Sequence, residues 1–213
     1  MITFERLSYH YPNNHSPGAP NAGALKGVSL HIDRGTFLLV IGPSGAGKDT
    51  LLSYALEHQQ PGDAFLVAHR YITRPPEEGG ENHVAVSGRV YALMRDRGCF
   101  ALHWRSHGNG YGVGREIDLW MDQGLTVVMN GSRAHLEQAA QRYEGLVPVL
   151  IRVDEEVLLE RLRQRGRESP GEIRDRLERT RCLEVDHPRL CTIDNSGDLH
   201  RAGQELLRII RSA

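Results

Sequence analysis

Lysine is nearly missing from this sequence. Only Lys26 and Lys48 are lysines among 26 basic residues, so almost every positive charge is a planar guanidinium, suited to bidentate pairing with phosphate or carboxylate. Cysteine is scarce as well: Cys99, Cys182 and Cys191 are odd in number and form no CxxC pair. That excludes a disulfide framework and a zinc knuckle, and fits a reducing cytoplasm. No apolar run approaches the ~18 residues of a membrane span. The opening MITFERLSYHYP lacks a basic stretch followed by an apolar one, so no leader, no membrane partner and a cytoplasmic location are expected. Neither sign of charge dominates, with 26 basic and 27 acidic residues and a formal charge of -1. A broad nucleic-acid footprint is thereby excluded, and any anion site must be local.

What is present is a repeating alternation. The apolar stretches TFLLVI (36–41), AFLVAH (64–69), LTVVMN (125–130), VPVLIRV (147–153) and LCTID (190–194) are bounded by turn residues. Helical patterns are expected at 48–58, around REIDLWMDQG with Gly124 as its stop, and at 132–143, 154–165, 169–185 and 198–211. Short strands that are apolar throughout, alternating with helices, predict an α/β fold of three layers, with a central parallel sheet of about five strands. Nine arginines fall between Arg152 and Arg181, inclusive, but acids are interleaved at helical spacing, which reads for most of them as a solvated, ion-paired face.

The stretch VIGPSGAGKDTLL (40–52) carries the chemistry. Gly42, Pro43, Ser44, Gly45, Ala46, Gly47 and Lys48 match G-x-x-x-x-G-K between a strand and a helix. Glycines let successive backbone N–H groups converge on phosphate oxygens, and the lysine reaches the β and γ phosphates. ATP binding with Mg²⁺ is therefore expected. Asp49 then stands where serine or threonine is usual, followed by Thr50. Its carboxylate either turns outward as a first-turn acid or faces Mg²⁺ through water, leaving the Thr50 hydroxyl for phosphate.

Two resemblances extend this reading. ALKGVSLHIDRGTFLLVIGPSGAGK resembles the opening of a transporter-type ATPase subunit, a family in which an aromatic near Tyr11 stacks on adenine. No LSGGQ signature and no apolar strand ending in Asp-Glu follows, so an ATPase subunit is disfavoured. Residues 1–35 are expected as a β appendage, with Tyr9 or Tyr11 near adenine or as an extension without that role. Residues 36–213 are expected as the kinase domain. There HRYITRP (69–75), HGNGYGV (107–113), RLRQRG (161–166) and DNSGDL (194–199) follow the motif order of the guanylate-kinase-like enzymes. VAHRYITR, GENH, YGVGREIDLW and NGSRAHL are more similar still to the branch that phosphorylates ribose 1,5-bisphosphate in bacterial phosphonate breakdown.

The resemblance implies roles. Arg74 and Tyr111 would hold the accepting phosphate in a region spanning about 70–115. Arg161, Arg165 and Arg176 would close over the transferring phosphoryl from a lid of about 160–180, and Asn195 would border adenine. Leu102 stands where the guanylate kinases read guanine with glutamate, although a slip of one residue puts His103 there. Ser132 replaces an aspartate, and Asn130 replaces an acid of the metal-water shell. Arg70, with His83, then suits a second phosphate better than a base. His103 and His107 read as strand or acceptor-site residues and not as metal ligands. The implied reaction is ATP-dependent phosphorylation of a sugar bisphosphate, with a guanylate or other nucleoside-monophosphate kinase as the alternative. A non-catalytic binding module would have lost Lys48 and the lid arginines. A homodimer is compatible with the sequence and not fixed by it.

Overall fold

A computed structural model describes residues 2–9, 25–32, 35–75, 83–106, 108–166, 171 and 185–213, with the backbone alone for 2–9, 25–32 and Arg165. The expected helix at 169–185, Tyr11, His107, Arg176 and the side chains of Tyr9 and Arg165 lie outside the described residues.

The five apolar stretches form one parallel sheet. β1 (Ile2–Tyr9) and β2 (Leu25–Ile32) pair antiparallel as a separate two-stranded sheet, from Ile2 opposite Ile32 to Tyr9 opposite Leu25. The central sheet contains β3 (Phe37–Ile41), β4 (Phe65–Ala68), β9 (Thr126–Asn130), β10 (Val147–Arg152) and β11 (Cys191–Asp194), in the order β11-β10-β3-β9-β4. β3, at the centre, is apolar and buried throughout because both faces of the sheet are covered. On β3, Leu38 and Val40 join a core with α1 (Lys48–Glu57) and the C-terminal helix α6 (Leu199–Arg211). Phe37, Leu39 and Ile41 enter a second core on the opposite face with Ile117, Met121, Ala139 and Tyr143. These belong to α3 (Glu116–Asp122), α4 (Leu136–Arg142) and the residue that follows it.

α6 shows how sequence dictates placement. Asp198 caps it, its carboxylate accepting from His200 N at 2.9 Å. Ala202, Leu206, Leu207, Ile209 and Ile210 bury one apolar stripe. Each of the four large side chains contributes about 1.5–3 kcal/mol on burial. Gly203 lets the Tyr54 ring approach, since a Cβ there would overlap it. The Tyr54 hydroxyl lies 2.8 Å from His200 Nδ1 and accepts from Gln204 Nε2 at 2.9 Å, so the phosphate-loop helix is tied to α6 at both apolar and polar points.

A second sheet stands beside this framework. It is ordered β6-β5-β8-β7, with β5 (Arg70–Ile72), β6 (His83–Ala85), β7 (Phe100–Ser106) and β8 (Asn109–Gly114). The sequence pattern does not predict β5, β6 or the helix α2 (Gly88–Asp96), which Ser87 caps by accepting from Val90 N at 3.2 Å. The helix expected over 132–143 is divided into a 3₁₀ turn at Arg133–His135 and α4, followed by α5 (Glu155–Arg165) after β10. The turn arises where the chain leaves β9 and bends toward the second sheet, as the contact of His135 with Trp104 shows.

Candidate active site

The loop between β3 and α1 is shaped by glycine and by what packs behind it. Gly47 has φ +84°, in the left-handed region where a side chain is strained. A Cβ there would also lie 2.5 Å from Asn195 Nδ2 and 4.0 Å from an Arg161 guanidinium nitrogen. The absent side chain makes room for a clamp: Asn195, 3% exposed, donates from Nδ2 to Ala46 O at 2.7 Å. Asn195 is itself fixed at the end of β11, its N–H donating to Arg152 O at 2.8 Å. From the other side, Leu158 and Leu162 of α5 pack against Gly45. Leu162, within the lid expected at about 160–180, is therefore part of the packing behind the loop together with Leu158, which precedes the lid.

Within the loop, Lys48 Nζ donates to Gly42 O at 3.1 Å and Pro43 O at 3.0 Å. Its ammonium is held at the loop mouth. Asp49 accepts from Asn130 Nδ2 at 2.5 Å. Asn130 is buried at the end of β9, beside Val40 of β3. The Asp49 carboxylate is thus turned to the carboxyl edge of the sheet, next to the loop, while Thr50 is exposed on the same helical turn.

Two buried acceptors here have no hydrogen-bond partner among the described residues: Asn130 Oδ1 and Asn195 Oδ1. The same holds for one Arg161 guanidinium nitrogen and for Arg74 Nε. Orphaned polar atoms at this density are costly in a folded interior and mark a place built for a polar ligand. No group of three or more His, Cys, Asp or Glu side chains suited to a metal occurs among the described residues. Asp49 with Asn130 Oδ1 fits Mg²⁺ in its usual enzymatic form, carried mainly by phosphates and water with one or two protein oxygens.

The second sheet supplies a wall. In antiparallel pairing, opposed residues share a face. Trp104 is opposite Tyr111 and Ile72 is opposite Tyr111 on its other side. Their rings stack, Trp104 on Tyr111 at 5.4 Å and 4°. The Arg70 guanidinium lies over the other part of the assembly, 5.6 Å from the Tyr111 ring centre, within cation–π range. His135 closes the opposite end, 4.9 Å from Trp104. Tyr91 locks the two strands from behind, its hydroxyl within 3.2 Å of Trp104 O and 3.1 Å of Tyr111 O. His83 is in register with Arg70 across β5 and β6, and its Nε2 lies 3.1 Å from Arg74 O.

Register also decides between the two candidates for a base-reading position. Leu102 is opposite Val113, 4% exposed, in the core with Trp104. His103 is opposite Gly112 on the other face, exposed, with its ring 6.4 Å from Phe100. The residue on the Tyr111 face is therefore apolar. Ser132, between Asn130 and the 3₁₀ turn, is half-buried. Arg133 was not foreseen: it is half-buried in that turn, and burial lowers its pKa from the ordinary arginine value. Burial also pulls His135 below the usual histidine value, which favours the neutral ring.

The sequence profile of the AAA domain matches residues 38–182. A ribose 1,5-bisphosphate phosphokinase PhnN of Desulfomicrobium baculatum is 52% identical over 173 residues, covering 81% of this chain and 92% of the relative. Its counterparts in Thiobacillus denitrificans and Klebsiella pneumoniae are 46% and 45% identical, covering 85% and 84% of this chain and 96% and 94% of the relatives. Among solved structures, guanylate kinase from Anaplasma phagocytophilum superposes with a TM-score of 0.63 over 85% of this chain and 87% of its own, at 19% identity, and so shares the fold. The chain carries an AAA-type phosphate-loop domain and belongs to the ribose 1,5-bisphosphate phosphokinase family.

Proposed function

We propose that this protein transfers the γ-phosphoryl group of ATP to the 1-phosphate of ribose 1,5-bisphosphate, giving 5-phosphoribosyl 1-diphosphate and ADP. An oxygen of the 1-phosphate attacks the γ-phosphorus, and the bond from that phosphorus to the oxygen bridging it to the β-phosphorus breaks. The acceptor is already ionised, so no general base is needed. Catalysis then rests on alignment and on fixed cations, because the loose transition state spreads charge over the equatorial oxygens. Bound Mg²⁺ would supply part of that charge neutralisation at the phosphates.

The chain's own groups divide the work. Lys48 exchanges its loop carbonyls for phosphate oxygens, and Arg161, beside Gly47, faces the same phosphates; Arg165 and Arg176 are assigned to the transferring group by resemblance alone. Asp49 and Asn130 Oδ1 would hold Mg²⁺ through water, and Asn195 holds the loop while its Oδ1 faces the nucleotide. Arg74 and Tyr111 take the accepting phosphate. Arg70 takes the 5-phosphate, its guanidinium already oriented by the Tyr111 ring. His83 donates to Arg74 O in this arrangement, and only its doubly protonated ring also donates to a phosphate. Residues 1–35 form an appendage to the kinase domain.

The observation that carries the acceptor assignment is the pairing of Arg70 with Leu102 on one wall. A guanine base would leave its N–H donors unpaired against Leu102, a large loss in a closed site, whereas a second phosphate gains a bidentate partner in Arg70. The test is ATP-dependent consumption of ribose 1,5-bisphosphate beside GMP, dGMP and ribose 5-phosphate. Turnover of the bisphosphate alone is expected, and efficient phosphorylation of GMP would replace this reading with guanylate kinase.

A further inference from the structure

Among the described residues Arg133 is a cation without a counter-ion. It stands half-buried in the 3₁₀ turn after β9, where burial lowers its pKa from the ordinary arginine value. No hydrogen bond or ion pair joins it to another described residue. Glu137, four residues later and correctly spaced for a helical ion pair, is exposed and accepts instead from Gln141. A guanidinium held partly out of water without an anion destabilises the fold, so a burial of this kind points to an anion that arrives from outside.

The position of the turn says where that anion lies. At one end, Gly131 N donates to Val40 O at 2.9 Å and Asn130 reaches Asp49 on the first turn after the phosphate loop. At the other end, His135 rests on Trp104, which stacks on Tyr111 beneath Arg70. Residues 131–135 therefore span from the phosphate loop to the acceptor wall, and Arg133 is the middle residue of that span.

The geometry points to Arg133 as a substrate-contacting residue that holds the accepting phosphate of the sugar bisphosphate together with Arg74. The inference rests on the phosphoryl-transfer reading above and adds a third acceptor-site arginine to it. Arg133 exchanges no proton; it screens the negative acceptor from the negative γ-phosphoryl and fixes the direction of attack. A guanidinium serves better than an ammonium because two parallel N–H donors fix a phosphate's orientation.

Arg133→Gln and Arg133→Lys in the full chain test this, with ribose 1,5-bisphosphate and ATP varied separately. Arg133→Gln is expected to raise the KM for the bisphosphate at least tenfold and to lower kcat, with the KM for ATP within twofold of wild type. Arg133→Lys is expected to recover part of the acceptor KM and little of kcat. The Tm of Arg133→Gln without substrate is expected to equal or exceed wild type, because a half-buried, uncompensated charge is removed; a structural arginine would give a lower Tm. Unchanged acceptor kinetics in Arg133→Gln, or a lowered Tm with both KM values shifted alike, overturns the inference while leaving the reaction intact. Failure of the wild-type protein to turn over ribose 1,5-bisphosphate overturns the reaction itself, and this inference with it.

Discussion

Replacing Asn130 by aspartate changes one atom pair and asks what Asp49 is doing. The Asn130 amide is buried and donates to Asp49 Oδ1 at 2.5 Å. Asn130→Asp keeps the shape, removes the donor and sets two carboxylates against each other, with charge centres about 4 Å apart. At an effective dielectric of about 20, that repulsion is about 4 kcal/mol. Asp49 is exposed to water, so screening reduces the usable figure to about 1–2 kcal/mol. The pair must then either retain a proton or recruit a cation. Because a proton is held more tightly in the folded variant than in its unfolded chain, the destabilisation is absent near pH 4 and grows to its full value as pH rises toward neutrality. Urea unfolding of Asn130→Asp and wild type from pH 4 to pH 8 measures it, with and without millimolar Mg²⁺. The stability gap should open with rising pH and close on adding the metal. A gap independent of pH, or one that Mg²⁺ leaves untouched at pH 8, would refute both the inward orientation of Asp49 and its part in a metal-water shell.

Lys48→Ala should lower turnover by several orders of magnitude with little change in Tm, since the ammonium bonds two loop carbonyls and its main work is on phosphate; retained activity in a steady-state assay would sink the loop assignment. Arg70→Ser should raise the KM for ribose 1,5-bisphosphate far more than that for ATP, and should not create GMP kinase activity, because Leu102 stays on the wall; equal shifts in both KM values would contradict the assigned second-phosphate role. Asn195→Ala should cost about 1–3 kcal/mol in chemical denaturation, the scale of an orphaned buried acceptor at Ala46 O, and should weaken ATP binding by calorimetry. A stable variant with normal ATP affinity would show that the clamp on the loop is dispensable.

The parallel sheet was legible because its physics is one-dimensional. All five residues of β3 and of β9 are buried, so each strand announces itself as an apolar run regardless of what lies across from it. The acceptor sheet gives no such signal. β5 has three residues and only Ile72 fully buried, β6 buries none, and α2 buries Tyr91 alone. Their stability comes from pairing with β8 and from the Tyr91 hydroxyl on two carbonyls, which are contacts between residues distant in sequence. The same limit applied to Leu102 and His103: adjacent in the chain, they differ in burial because strand register sends one to each face. Arg133 escaped notice for a related reason. Its spacing from Glu137 suggests an ordinary helical pair, but the 3₁₀ turn at Arg133–His135 intervenes and the pair does not form.

The aspartate after Lys48 has its physical account in a contact across 81 residues of chain. A carboxylate free to turn toward the phosphate loop would repel the nucleotide it is meant to grip. Asn130 holds the carboxylate at the sheet edge beside the loop by donating one N–H to Asp49, while its own Oδ1 is buried with no partner among the described residues. The two side chains thereby present a carboxylate and an amide oxygen at the end of β9, one charge in place of two. In the proposed reaction a site with a single charge would hold hydrated Mg²⁺ weakly, which would suit a metal that arrives and leaves with the nucleotide. It also leaves the carboxyl edge of the sheet less negative where two multiply charged phosphates must approach each other. In the proposed arrangement Arg70, Arg74 and Arg133 on the acceptor side, with Lys48 and Arg161 on the donor side, face those phosphates with Asp49 as the single carboxylate assigned among them, so that oriented phosphate binding gives these four arginines a reason to be guanidinium and not ammonium.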